Sequence, residues 1–247
     1  MSQVEIEDGD GVRLVRWNRP AQLNAMSNVM WEDTVAALEQ AAAAPELRCV
    51  VLTGTGRAFT AGQDLGEMAA PPARPDDELH PFAHLMRVLE DFELPLLAAV
   101  NGLAVGFGVT VLAHCDLVFV SHEARLKIPF LPLGVTTEAA GSYLLPQRMG
   151  WQAAAHFVFT ADWLSADQAV ACGLAYEACP PDSLLDRVMT TARTIGAMPP
   201  DSVRTTKRLM VAGRLDAVRA AREREEEAFA RLMGSAANRA ALDEFLS

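Results

Sequence analysis

Leu96 to Val100 is a continuous apolar run closed by Pro95 on one side and Asn101-Gly102 on the other, the pattern of a strand buried on both faces. Cys49 to Thr53 and Leu117 to Val120 repeat it, and a shorter run from Arg125 to Ile128 stops at Pro129. Val4 to Glu7 and Val12 to Trp17 are β-rich and separated by Asp8-Gly9-Asp10-Gly11, which predicts an opening antiparallel hairpin. Helical periodicity runs from about Asn28 to Ala43, with Ser27 as cap and Val29, Met30, Val35 and Leu38 on the apolar face. It returns at His84 to Phe92, where Leu85, Val88, Leu89 and Phe92 share one side. Ala139 to Met149 reads as a helix with Glu138 at its start and Thr136 or Thr137 as cap. Trp151 to Phe159 reads as another. Ser165 to Gln168 caps a helix ending at Gly173, and Leu174 to Ala178 is a final strand. From Asp182 onward the pattern is helical, interrupted at Pro199-Pro200, Gly213 and Gly234-Ser235. Strands and helices interleave early and helices alone finish the chain, which makes the fold α/β.

Two glycine-bearing corners stand out. Gly106 and Gly108 flank Phe107 just ahead of a helical run from Val109 to Ala113, so unpaired N–H groups and the positive end of a helix dipole face outward there. Such a corner binds an anion or a developing oxyanion; equally, its glycines let a helix pack close to a strand. The second corner, Arg57 to Leu65, carries Gly62 ahead of a short helix from Leu65 to Ala69. Gly54-Thr55-Gly56 invites comparison with a dinucleotide-binding turn, but the third glycine and a regular βαβ repeat are missing. Ala70 to Pro81 is rich in Pro and Asp and reads as a mobile surface segment, either a linker or a lid over a ligand.

Composition narrows the choices. At 247 residues and 51% apolar, the chain suits one domain, or one domain with a helical appendage. A formal charge of −11 argues against general nucleic-acid binding, while a local basic patch for a phosphate-bearing ligand stays open. Cys49, Cys115, Cys172 and Cys179 are widely spaced among apolar neighbours, as reduced core thiols are. The histidines lack metal-ligand spacing and Ser142 lacks a nucleophile elbow, so no metal and no redox cofactor is expected. No run reaches the ~18 apolar residues of a membrane span, so the expected compartment is the cytoplasm, with no membrane partner. Arg219 to Glu227 reads as a solvated helix face laced by i,i+4 ion pairs.

NRPAQLNAM (Asn18 to Met26), AFTAGQDL (Ala58 to Leu65), AAVNGLAVGFGVTVLAHCDL (Ala98 to Leu117) and LSADQAVACGLA (Leu164 to Ala175) resemble, in order, the enoyl-CoA hydratase/isomerase family, the crotonases. The resemblance implies a spiral of β-β-α units over residues 1–190 and a helical region over 191–247 that covers CoA and makes trimer contacts. It also implies acyl-CoA thioester substrates in fatty-acid β-oxidation chemistry, coenzyme A arriving as part of the substrate, and a homotrimer or dimer of trimers. By the same resemblance the backbone N–H groups of Gln63 and Phe107, at corners carrying Gly62 and Gly106, would clamp the thioester oxygen. Phe59, Ala61, Asp64 and Leu65 would line the CoA path. Arg19, Lys207 and Arg208 are candidates for its phosphates.

By the resemblance, family hydratases place two carboxylates at the positions that Thr110 and Phe130 hold in this chain. Glu138, in LGVTTEAAGSYLLP (Leu133 to Pro146), falls where Δ3,Δ2-enoyl-CoA isomerases of the family carry a single glutamate, with Phe130, Leu131 and Leu133 as an apolar surround. The resemblance therefore favours an isomerase, in which one carboxylate takes a proton from C2 and returns it at C4. The alternatives are hydration through a displaced carboxylate such as Glu123, isomerisation of a ring-type or epoxide-derived CoA ester, and a noncatalytic acyl-CoA-binding protein.

Overall fold

The apolar runs become strands of one sheet, and short segments behind several of them become strands of a second. The computed structural model describes residues 2–69 and 79–246. The chain begins with β1 (Val4–Gly9) and β2 (Val12–Trp17), a hairpin turned by Asp10 and Gly11 in the left-handed conformation. It continues through α1 (Asn28–Ala43), β3 (Cys49–Gly54), β4 (Ala58–Thr60), α2 (Leu65–Ala69), α3 (Pro81–Glu90), β5 (Leu96–Val100), β6 (Leu103–Val105) and α4 (Phe107–Thr110). After these come β7 (Leu117–Ser121), β8 (Arg125–Lys127), α5 (Gly141–Met149), α6 (Trp151–Thr160), β9 (Leu164–Ser165), α7 (Ala166–Ala171) and β10 (Glu177–Cys179). Four helices close the chain: α8 (Leu184–Gly196), α9 (Pro200–Ala212), α10 (Leu215–Leu232) and α11 (Ala236–Leu246).

Among the described residues the strands form two sheets, ordered β1-β2-β3-β5-β7-β10 and β4-β6-β8-β9. Successive passes of the chain lay one strand in the first sheet, one in the second, and then return through helix, which is the expected β-β-α spiral. Strands β2, β3, β5, β7 and β10 run parallel, and they are covered on both sides. Val50, Leu52, Ala98 and Val100 face the main core, whereas Val51, Leu97, Ala99 and Phe119 meet Leu184, Val188 and Ala192 of α8. That double burial explains why β3, β5 and β7 are nearly continuous apolar runs.

Local expectations hold where the signal is local. Ser27 caps α1, accepting from the Met30 N–H at 3.2 Å, and Met30, Val35 and Leu38 are buried with Trp31. Val29 is 49% exposed and does not belong to that face. Ser165 and Gln168 form a reciprocal capping box on α7. Other boundaries move. α3 starts at Pro81, α4 already at Phe107, and the last strand only at Glu177. Strands β4, β6 and β9, of two or three residues each, carry no pattern of their own. Gly54-Thr55-Gly56 is a strand-to-strand connection into β4 rather than the opening of a helix, which removes the dinucleotide-turn alternative. α8 runs through residue 190 and packs on the sheet, so the helical region begins at α9. The segment expected to be a mobile linker or lid lies, from residue 70 to 78, outside the described residues. Cys49 and Cys115 are free and buried, their thiols pushed up to about 12 by loss of solvation, as inert core cysteines are. Among the described residues no helix is long and apolar enough to cross a membrane. Ser27→Ala is expected to cost about 1 kcal/mol in urea unfolding, because the cap accepts a helix N–H and also donates to Gln3 Oε1 at 2.5 Å.

Candidate active site

Parallel pairing of β4, β6 and β8 stacks the corners that follow them. Ala61-Gly62-Gln63, Gly106-Phe107 and Ile128-Pro129-Phe130 therefore lie on neighbouring passes of the spiral. Gly62 has φ +86°, and a Cβ there would sit 2.7 Å from Val105 O and 3.5 Å from Phe107 N. A Cβ on Gly108 would meet Thr60 O at 2.7 Å. The glycines thus allow close packing and, by the same contact, bring the two corners together. Phe107 N is the first amide of α4, and neither it nor Gln63 N has an acceptor among the described residues. Two backbone donors are left side by side at a helix start, a pairing suited to a carbonyl oxygen that gains charge.

The side chains of both residues point away from that task and hold it rigid. Trp31 Nε1 donates to Gln63 Oε1 at 3.1 Å, and the Trp31 ring meets Phe107 edge-on at 4.4 Å. Phe82 and Trp17 complete the aromatic contacts of Phe107, each at 6.1 Å. Thr60 Oγ1 donates to Asn24 O at 2.7 Å and accepts from Gly62 N at 3.0 Å, which pins the first corner from below. Phe59, expected to line the CoA path, is instead fully buried against Trp17 at 4.8 Å. Ala61, Asp64 and Leu65 keep partial exposure. Arg19 and Asp64 come together: both terminal nitrogens of Arg19 lie 3.0 Å from Asp64 Oδ2, so the cation is already paired. Lys207 is not a surface cation, since its ammonium is buried and lies 2.5 and 2.6 Å from the carboxylate of Asp116. A phosphate role for Lys207 is thereby withdrawn. Arg208 remains exposed near Glu93.

Glu138 does not open α5 as the sequence suggests. Ala139 and Ala140, with φ of 59° and 55°, turn the chain left-handed between Glu138 and the helix at Gly141, and neither Thr136 nor Thr137 caps it. Each left-handed alanine costs roughly 1–2 kcal/mol. His114 Nε2 donates to Ala139 O at 2.8 Å and helps to hold this turn, its imidazole kept neutral because burial lowers its pKa to about 4. The turn delivers the Glu138 carboxyl to α4, where Thr110 Oγ1 donates to Oε1 at 2.6 Å, one turn from Phe107. Glu138 lies deep in the protein but keeps partial exposure. Desolvation raises its pKa to about 8, opposed by the Thr110 hydroxyl and reinforced by Glu225. Phe130 is buried with its ring against Gly106, 3.7 Å from where a Cβ would stand, and Leu133 packs on the main core while exposing part of its surface. Leu131 is exposed. Asn238 on α11 donates to Leu133 O at 2.8 Å and anchors this loop. Glu123 stands on the exposed turn between β7 and β8, away from the stacked corners.

Two backbone donors without acceptors among the described residues, and a carboxyl tied by Thr110 to the helix that carries one of them, are suited to chemistry next to a carbonyl group. The sequence profile described as enoyl-CoA hydratase/isomerase matches residues 7–247, and the chain belongs to that family. It is 32% identical over 219 residues to "Enoyl-CoA delta isomerase 2" of Rattus norvegicus, covering 87% of this chain and 56% of the rat protein, so it spans little more than half of that relative. It is 30% identical over 247 residues to "2,3-dehydroadipyl-CoA hydratase" of Escherichia coli strain K12, covering 100% of this chain and 96% of that one. The crystal structure of an enoyl-CoA hydratase/isomerase from Pseudoalteromonas atlantica superimposes with a TM-score of 0.96 at 30% identity, covering 99% and 96% of the two chains.

Trp31, His114, Glu225 and Asn238 were not legible as site-supporting residues, since each serves a contact made by distant elements. Two measurements check this geometry. Folded Glu138 keeps its proton up to about pH 8 while the unfolded side chain ionises in the ordinary carboxyl range, so stability falls as pH rises between those limits. Glu138→Gln should match wild type near pH 4 in urea unfolding and become progressively more stable than wild type toward pH 8. Gly62→Ala should destabilise by more than about 1 kcal/mol, because the added methyl meets Val105 O and the left-handed φ disfavours it.

Proposed function

We propose that this protein shifts the double bond of a 3-enoyl-CoA into conjugation, giving the 2-enoyl-CoA. The observation that carries the proposal is the Glu138 carboxyl, tied through Thr110 to the helix whose first amide faces the Gly62 corner that carries Gln63. The thioester oxygen is received by Gln63 N and Phe107 N. Removing a proton from C2 spreads negative charge over that oxygen and the former double bond, and one preorganised donor of this kind is typically worth ~2.7–4 kcal/mol. Glu138 takes the C2 proton, becomes the acid, and returns it at C4; such a shuttle typically contributes ~10²–10⁴-fold.

Desolvation makes Glu138 a stronger base than a carboxylate in water, which is what a weakly acidic carbon requires. Thr110 and Phe130 supply no carboxylate, which supports isomerisation over hydration. Ala61, Asp64, Leu65 and Arg19 remain the residues that would accompany the CoA chain. Exposed Trp151, Phe159, Leu209 and Met210 support self-association of the kind a homotrimer uses.

Turnover of a trans-3-enoyl-CoA, read as growth of the conjugated thioester absorbance, tests the assignment. Wild type should conjugate it, Glu138→Gln should lose at least about 10²-fold in kcat while binding acyl-CoA normally, and addition of water to a 2-enoyl-CoA should be slow by comparison. Retained turnover in Glu138→Gln, or hydration alone, sinks it. Because the base must be ionised, kcat/KM should rise with pH and level off above about 8.

A further inference from the structure

Glu225 lies in the charge run that the sequence presents as a solvated helix face, yet it is only 6% exposed. Its Oε1 accepts from Ser142 N at 2.7 Å, capping the first turn of α5 from α10. Ser142 and Ala140 also lend hydrogen-bonding groups to this carboxyl, but its buried Oε2 lacks a well-aligned partner among the described residues, and Thr137 Oγ1, 2.6 Å from where a Cβ on Gly141 would be, is likewise unpartnered there. Two orphaned polar atoms therefore sit at the turn that delivers Glu138. A buried carboxyl with one oxygen poorly partnered is costly, and its place at this turn calls for an explanation.

We propose that Glu225 is the positioning residue of this site: it clamps the first turn of α5 and sets the charge environment in which Glu138 moves its proton. The inference rests on the role assigned to Glu138 above. Cations do not neutralise Glu225 in place. Arg224, on its own helix, is the nearest favourable charge and makes no ion pair with it among the described residues. From α3, Glu90 is bound by Arg219 and Arg222, and Asp91 by Arg219. Arg148 on α5 turns to Cys115 O, and His114 is neutral. Burial raises the pKa of Glu225 as well, and its charge bears on Glu138. Repulsion between two carboxylates exists while Glu138 is ionised and disappears as Glu138 takes the C2 proton, so it favours abstraction. Titration then belongs to the pair.

Glu225→Gln keeps an acceptor for Ser142 N and removes the charge; Glu225→Ala removes both. The exposed Glu227→Gln makes the same charge change on the same helix. With a 3-enoyl thioester, both Glu225 variants should move the low-pH limb of kcat/KM down by about one pH unit. Plateau kcat should fall about tenfold, with KM nearly unchanged and Glu227→Gln behaving as wild type. In urea unfolding, the loss of stability from pH 5 to pH 8 should become shallower in both Glu225 variants. A limb and slope equal to wild type in Glu225→Gln, an equal shift in Glu227→Gln, or a loss of stability without any limb shift would overturn the proposal. Should wild type isomerise nothing, a slope change caused by Glu225→Gln that is larger in the wild-type background than in Glu138→Gln still upholds the coupling of the two carboxyls while the isomerase assignment falls, because the Glu138→Gln background isolates the titration of Glu225 itself.

Discussion

Close approach of two backbone corners is the constraint on which the rest depends. Gly62 and Gly108 leave space in which no Cβ would fit, and through that space the end of β4 meets the start of α4. Parallel pairing of β4, β6 and β8 sets the corners that follow them on neighbouring passes. Everything around it maintains the contact: Trp31 grips Gln63 and Phe107 together, Asn24 and Thr60 brace the first corner, and the double-sided burial of β3, β5 and β7 holds the spiral to its pitch. Backbone donors fixed in this way need no reorganisation when charge develops in front of them.

A carboxyl at such a place has an unusual history along the chain. Two consecutive left-handed alanines, held by His114 behind and joined to a turn capped by Glu225, turn Glu138 back toward Thr110. The strain and the desolvation both oppose folding, and the core around Phe130, Leu144 and Leu145 offsets them. The outcome is a carboxyl that keeps a proton to about pH 8 while retaining partial exposure. α10 and α11 take part through Glu225 and Asn238, so the helical end of the chain helps to shape the site as well as covering the spiral.

Much of this was legible in residues whose neighbours in sequence are also their neighbours in space. The hairpin turn at Asp10-Gly11, the Ser27 cap, the Ser165 capping box and the doubly buried strands are local signals and came through. β4 and β6 did not, because three residues cannot show a period and their partners are each other. The left-handed turn at Ala139-Ala140 was invisible, since alanine advertises no such conformation. Lys207 and Phe59 failed as ligand contacts for one reason: Asp116 and Trp17, distant in the chain, claim them first. Glu225 hid in a charged run because charge density in a sequence says nothing about which of several glutamates faces inward. The role of Glu138 came from family resemblance, and its geometry from the fold.

The central claim is that one carboxyl carries the same hydrogen from C2 to C4. A 3-enoyl-CoA dideuterated at C2, turned over in ordinary water and analysed by mass and NMR, tests it most directly. Product with measurable deuterium at C4 is expected, because a protonated carboxyl held in a desolvated site returns part of its label before exchanging with solvent. Product carrying only solvent hydrogen at C4 would contradict it, and would mean that separate groups, or water, perform the two transfers.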